Sequence, residues 1–259
     1  MAVLFLATPS ASFARVELES QLTGTTRGDR VFLDRLETVL ALTEKRIRAV
    51  FGVTLAGTAV AVRSSGNFDV KKQESGASAA GGANGAIEIN TETVRSYPTA
   101  DLQIACARGL YPLAWQQFSK PVNNENALAG RLYIEGMTAY AAELLFPGMK
   151  SWQYAGLYGK DGKALYRQYI PLERSLAEDA QRALAAGQAK TATNRFLSQE
   201  RTGPSAVLTP AGKLLSYRIM KTFETIMDPK MIQLMDFAEF QQRLPAALDA
   251  LRQGLKTER

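Results

Sequence analysis

The amino-acid sequence predicts an α+β fold in which a helix and a small sheet are followed by a mostly helical lobe. Three observations carry this expectation. Apolar residues recur at helical spacing between residues 30 and 51, short runs at 59–62 and 86–90 read as strands, and the long periodic stretches after residue 99 are all helical. With 259 residues, 46% of them hydrophobic, the chain can bury a core as one large domain or two packed lobes. The expected organisation is a truncated signal peptide over 1–14 and a single domain over 15–259. That domain divides into an N-terminal α/β part at 15–98 and a helical part at 99–259.

Each element has its own reason. Met1-Ala2-Val3-Leu4-Phe5-Leu6-Ala7 is apolar, and Ser12 and Ala14 are small and two apart, as signal-peptidase cleavage after Ala14 requires. Read this way the protein is periplasmic or secreted; without cleavage it is cytoplasmic. The run lacks a basic start and is too short to cross a membrane, and no other segment is long and apolar enough to do so. From Gly28, helical periodicity runs through Leu36, Leu40, Ile47 and Val50 to Phe51 and ends at Gly52. Val53-Thr54-Leu55 and Ala59-Val60-Ala61-Val62 are β-like runs, broken by Gly57 and closed by Ser64-Ser65-Gly66-Asn67. Residues 74–85, rich in Gly, Ala and Ser, read as a surface loop; they lack the strand-to-helix setting and the Lys-Ser/Thr ending of a phosphate-binding loop. Ala86-Ile87-Glu88-Ile89-Asn90 alternates and reads as a strand with one wet face.

A helix capped by Thr99 is expected through Leu102, Ile104, Cys106, Leu110 and Trp115 to about Phe118. After a loop at 120–126, a second helix covers 127–145 and stops at Pro147-Gly148. Residues 152–169 hold too many glycines for one regular element, and Tyr154, Tyr158, Tyr166 and Tyr169 there either line a groove or anchor a loop. Helices are expected at about 171–186, at 210–227, and from Pro229 or Phe237 to Leu255. No repeat of fixed period is visible.

Composition excludes more than it establishes. The chain contains no histidine, so it has no imidazole ligand, no histidine base and no Ser-His or Cys-His nucleophile pair. The net charge is +6, but basic residues alternate with acids, as in Glu44-Lys45-Arg46 and Leu172-Glu173-Arg174. That is a solvated surface rather than a specific nucleic-acid interface. Cys106, the only cysteine, cannot form an internal disulfide, and beside Ile104 and Ala105 it reads as a buried, inert thiol.

Two stretches carry functional information: Ala107-Arg108-Gly109-Leu110-Tyr111-Pro112 on the first helix after residue 99, and Ile134-Glu135-Gly136-Met137-Thr138-Ala139-Tyr140 on the next. Together with the element order, they resemble the catalytic domain of gluzincins, zinc peptidases with H-E-x-x-H on one helix and a glutamate on the next. Two histidines four apart share a helix face, the glutamate after the first acts as base on zinc-bound water, and the third ligand comes from the neighbouring helix. In many bacterial members that ligand lies in a stretch like E-G-L-A-x-Y, which Glu135-Gly136-Met137-Thr138-Ala139-Tyr140 resembles. The resemblance covers roughly residues 30–145, and more weakly 214–244, where Tyr217 matches a tyrosine-bearing helix. It implies a small mixed sheet, with the strand at 87–90 as the edge strand that pairs with an extended peptide, followed by a zincin-like helical lobe.

On that alignment Arg108 stands for the first histidine, Gly109 for the glutamate and Pro112 for the second histidine, each a single base change away. The neighbouring register puts Ala107, Arg108 and Tyr111 in those places, and neither register restores a ligand pair. Arginine has no lone pair for zinc, glycine is no base, and Pro112 deletes an amide hydrogen bond to the carbonyl of Arg108. Arg108, Gly109, Pro112 and Glu135 therefore form an expected vestigial site with no metal and no cofactor. Arg108 is placed to neutralise Glu135. Tyr111, Tyr140 and Tyr217 are cleft-lining candidates, although apolar helix faces equally suit them to the core.

The expected function is an inactive metallopeptidase-like protein that keeps a cleft for a peptide or protein. Two alternatives stay open. One is a carboxylate-based hydrolase using Glu135 with Glu143, or Glu178 with Asp179. The other is a basic helical interaction protein unrelated to peptidases.

Overall fold

The computed structural model describes residues 17–20, 27–55, 59–63, 71–72, 86–90, 94–119, 122, 127–186, 195–199 and 206–254. The expected signal peptide at 1–14, the loop at 74–85 and, apart from Val122, the loop at 120–126 lie outside these residues. The described chain is a helix-rich α+β structure.

Strands β1 (Glu17–Ser20), β2 (Ala59–Arg63), β3 (Lys71–Lys72) and β4 (Ala86–Asn90) form a four-stranded sheet in the order β1-β2-β4-β3. β1 and β4 both pair in parallel with β2, and β3 pairs antiparallel with β4, so the sheet is mixed as expected. Its edge is not where the family resemblance put it. β4 is an inner strand, with Lys71 opposite Glu88 and Lys72 opposite Ile87. A two-residue strand of lysines has no apolar alternation to announce it. Val53–Leu55 is not a strand either; Leu55 is buried in the core that follows the first helix.

That helix, α1 (Arg27–Phe51), buries Phe32, Leu36, Val39, Leu40, Thr43 and Ile47. This is the stripe that a 3.6-residue period produces. It stops at Gly52, whose φ of 70° is left-handed and open to glycine without a Cβ clash. Helix α2 (Thr99–Trp115) begins one residue earlier than a capping Thr99 would place it. Pro98 occupies the cap position in an extended conformation, and no side chain caps the helix.

Helix α3 (Leu128–Leu145) is the axis of the fold. Every residue of it is buried except Glu135, Glu143 and Leu144. It packs between α2 on one side and α7 (Pro210–Phe223) on the other. One apolar cluster joins α3 and α7 to α6 (Glu173–Ala185) and α9 (Phe237–Gln253), through Tyr133, Leu176, Met220, Phe223, Phe240 and Leu244. A second joins α1 and α2 to the segment after α3, through Leu36, Ile47, Leu102, Leu110, Phe146 and Tyr154.

The glycine-rich stretch after α3 resolves into two helices, α4 (Ser151–Tyr154) and α5 (Gly159–Tyr169), with Gly156 between them and Gly159 opening α5 at φ of 74° and 72°. The last helices carry capping signals. Thr209 and Pro210 open α7, Asp228 opens α8 (Pro229–Leu234), and Asp236 opens α9, each capping side chain accepting a backbone N–H. The hairpin of β5 (Leu197–Gln199) and β6 (Ala206–Leu208) completes the described structure.

Candidate functional site

Helices α2 and α3 bring Arg108 and Glu135 into direct contact. Arg108 Nη2 donates to Glu135 Oε2 at 2.5 Å, and Arg108 Nη1 donates to the Tyr154 carbonyl at 2.7 Å. The arginine side chain is 10% exposed and the glutamate 25%, so the pair is largely but not wholly removed from water. A charge-assisted bond in such a setting is short and strong, and breaking it strands a charge.

The segment after α4 closes over the guanidinium. Gly156 lies against it, where a Cβ would sit 3.0 Å from Nη2 and 3.1 Å from Cζ. That approach and the left-handed φ both require glycine. Asp101, in the first turn of α2, anchors the same segment by accepting from Gln153 Nε2 at 2.5 Å and from Gly159 N at 3.0 Å. Tyr154, Ala155 and Leu157 are fully packed, which makes this segment a fixed cover. Tyr158 stacks at a tilt on Tyr97 with centroids 5.5 Å apart, yet its hydroxyl is buried without a hydrogen-bond partner. Burial pushes that phenol well above its ordinary range, partly opposed by the nearby Arg108 charge.

Pro112 is buried inside α2, and the helix continues beyond it, with Gln116 N bonded to the Pro112 carbonyl at 3.1 Å. Gly109 is half-buried. Gly136, beside Glu135, has a packing role: a Cβ there would meet Met220 Cγ at 2.9 Å and the Ser216 carbonyl at 3.2 Å, so glycine lets α7 close on α3.

The three tyrosines expected to line a cleft are core residues instead. Tyr111 is 1% exposed, stacked on Trp115 and tilted on Phe51. Tyr140 is buried, with its hydroxyl turned toward the Pro229 carbonyl at 3.5 Å. Tyr217 is buried, tilted on Tyr154, with its hydroxyl facing Ser151 and Glu143. The physical reason is that α2 and α3 are surrounded by packing elements and leave no wet face for aromatic rings to line. Cys106 is buried as expected, and burial pushes its thiol up to about 12.

A second polar cluster was foreshadowed only by Glu143 standing among Ala141, Ala142, Leu144 and Leu145. Lys221 Nζ of α7 lies 3.1 Å from Glu143 Oε1 and also pairs with Glu224. Glu143 Oε2 is buried without a hydrogen-bond partner. Burial raises the Glu143 pKa, with Lys221 opposing the shift. Glu135 and Glu143 do not face each other as an acid–base pair. Eight residues along one helix separate their backbones by about 12 Å, and each carboxylate is held by a different cation. Asp179 of the other carboxylate pair is occupied by Arg182 and Arg195.

The residues do not fit a zinc ion. Positions 108, 109 and 112 offer a guanidinium, no side chain and a pyrrolidine ring, none of which donates a lone pair. Among the described residues no three His, Cys, Asp or Glu side chains converge as a metal-ligand set. Among them, too, no helix is long and apolar enough to cross a membrane. No protein-family model matches the chain, no curated protein is detectably similar to it, and no solved structure matches its fold.

Proposed function

We propose that this chain is a non-hydrolytic protein built on a metallopeptidase-like framework, acting by binding a peptide or protein. The observation that carries the reading is the Arg108–Glu135 ion pair between adjacent helices. The helix position that would carry the first histidine meets the glutamate that would be the third ligand. A permanent cation sits where a metal–carboxylate contact would be, with no base beside it. Glu135 keeps a quarter of its side chain in solvent, so a ligand reaches this site through Glu135. Export, suggested by Ser12 and Ala14 after the apolar start, belongs to the same proposal.

The test is metal analysis of the purified protein combined with a peptide-hydrolysis screen. The proposal expects neither stoichiometric zinc nor chelator-sensitive hydrolysis. A zinc per chain, with hydrolysis abolished by chelator, overturns it. Hydrolysis by metal-free protein that is lost in Glu135→Gln favours the carboxylate-based hydrolase.

A further inference from the structure

The observations reach furthest on α5, away from the ion pair. This helix buries only Gly162, which has no Cβ and lies directly against the Leu157 carbonyl. Its opposite face carries Lys160, Lys163 and Arg167, all exposed. Their spacing of three and four residues puts them on one stripe, about 10 Å long at 1.5 Å per residue. Asp161, the acidic residue of α5, lies about 100° round the helix from Lys160. Among the described residues no carboxylate pairs with any of the three cations. Some other surface cations have partners, Arg182 and Arg195 at Asp179, Arg243 at Glu239 and Arg252 at Asp249, whereas Arg30, Lys45, Arg174 and Lys230 have no carboxylate partner among the described residues, so it is the alignment of three cations on one face that marks α5.

The stripe is rigidly mounted. Asp101 holds the first residue of α5, and Gly162 lets the helix sit against the preceding loop. We propose that Lys160, Lys163 and Arg167 form a docking stripe for an extended acidic peptide segment. Same-face residues of an extended chain recur every 6.6–6.8 Å, roughly the spacing of side chains three and four apart on a helix, and flexible Lys and Arg stems absorb the difference. A single-stranded nucleic acid is the other polyanion to consider, but it needs an open aromatic platform as well as cations. The aromatic ring beside the stripe, Trp152, has Lys163 over its face at 5.7 Å and Tyr166 tilted against it at 6.2 Å. It is engaged and offers no base a stacking surface.

This inference stands apart from the ion-pair reading, because none of its residues touches Arg108 or Glu135. The probe is a fluorescein-labelled peptide of alternating glutamate and alanine, titrated by anisotropy. A glutamine–alanine peptide and an oligothymidylate serve as comparisons. The expected result is binding of the acidic peptide that weakens at least tenfold between low and physiological salt. It should also weaken at least tenfold in the triple variant Lys160→Glu, Lys163→Glu, Arg167→Glu, whose thermal melt stays that of the parent. Equal binding by parent and triple variant, no binding of the acidic peptide, or tighter stripe-dependent binding of the oligothymidylate each overturns the proposal. Should the triple variant melt early, the single Lys163→Gln variant supplies the comparison, with a twofold or greater loss expected.

Discussion

Replacing Arg108 by methionine keeps most of the apolar stem and removes the guanidinium. Two bonds go with it: the 2.5 Å bond to Glu135 and the 2.7 Å bond to the Tyr154 carbonyl. Removing one partner of a fully buried ion pair costs about 3–5 kcal/mol. Glu135 is 25% exposed, so part of its stranded charge is hydrated and the penalty falls below that range. The orphaned carbonyl adds about 1 kcal/mol. The combined expectation is about 2–4 kcal/mol, or a melting temperature lower by roughly 4–16 °C for a chain of this size. Urea denaturation of Arg108→Met, Glu135→Leu and the double variant reads the coupling directly. The double variant should recover at least about 1 kcal/mol relative to Arg108→Met, because an apolar pair leaves no buried charge. A single variant within about 0.5 kcal/mol of the parent, or strictly additive losses, refutes the reasoning.

Three further outcomes follow from neighbouring groups. Tyr158→Phe removes a buried hydroxyl that has no partner, so stability should hold or rise by up to about 1 kcal/mol in a thermal melt; a clear loss means the hydroxyl is bonded in solution. Gly156→Ala places a methyl 3.0 Å from the Arg108 guanidinium at a φ of 74° and should cost more than about 1 kcal/mol, whereas a neutral result contradicts the packed cover. Burial holds the Glu143 carboxyl above its ordinary value of 4.5. The folded state therefore binds that proton more tightly than the unfolded chain does, and the associated stability is fully present below the unfolded value. It is lost as pH rises through the folded value. Glu143→Gln should flatten that part of the stability–pH curve, and an unchanged slope in urea titrations counts against it.

The helices were legible because α1 buries one periodic stripe and α3 runs for 18 residues with little charge. The same scarcity of charge on α3 was the signal that its tyrosines belong in the core. The polar hydroxyl of Tyr140 obscured it, as those of Tyr111 on α2 and Tyr217 on α7 obscured their own burial, since amphipathic rings suit a cleft wall and a core equally well. The sheet edge was not legible, because β1 is Glu17-Leu18-Glu19-Ser20 with one apolar residue and β3 is two lysines. The Arg108–Glu135 contact could be read from two helix motifs. The cover over it could not, because it uses the Tyr154 carbonyl and the missing Cβ of Gly156, and a backbone group leaves no trace in residue identity.

The central claim is that Arg108 and Glu135 occupy the geometry of a metal site, and rebuilding the ligands tests it most directly. A triple variant, Arg108→His, Gly109→Glu and Pro112→His, places two imidazoles four residues apart, the first at the position that meets Glu135, and restores the amide that Pro112 lacks. Isothermal titration of this variant with zinc, on protein shown to melt cooperatively, should give one site per chain that is lost when Glu135→Gln is added. A folded triple variant that binds no zinc, or binds it equally well without Glu135, contradicts the account.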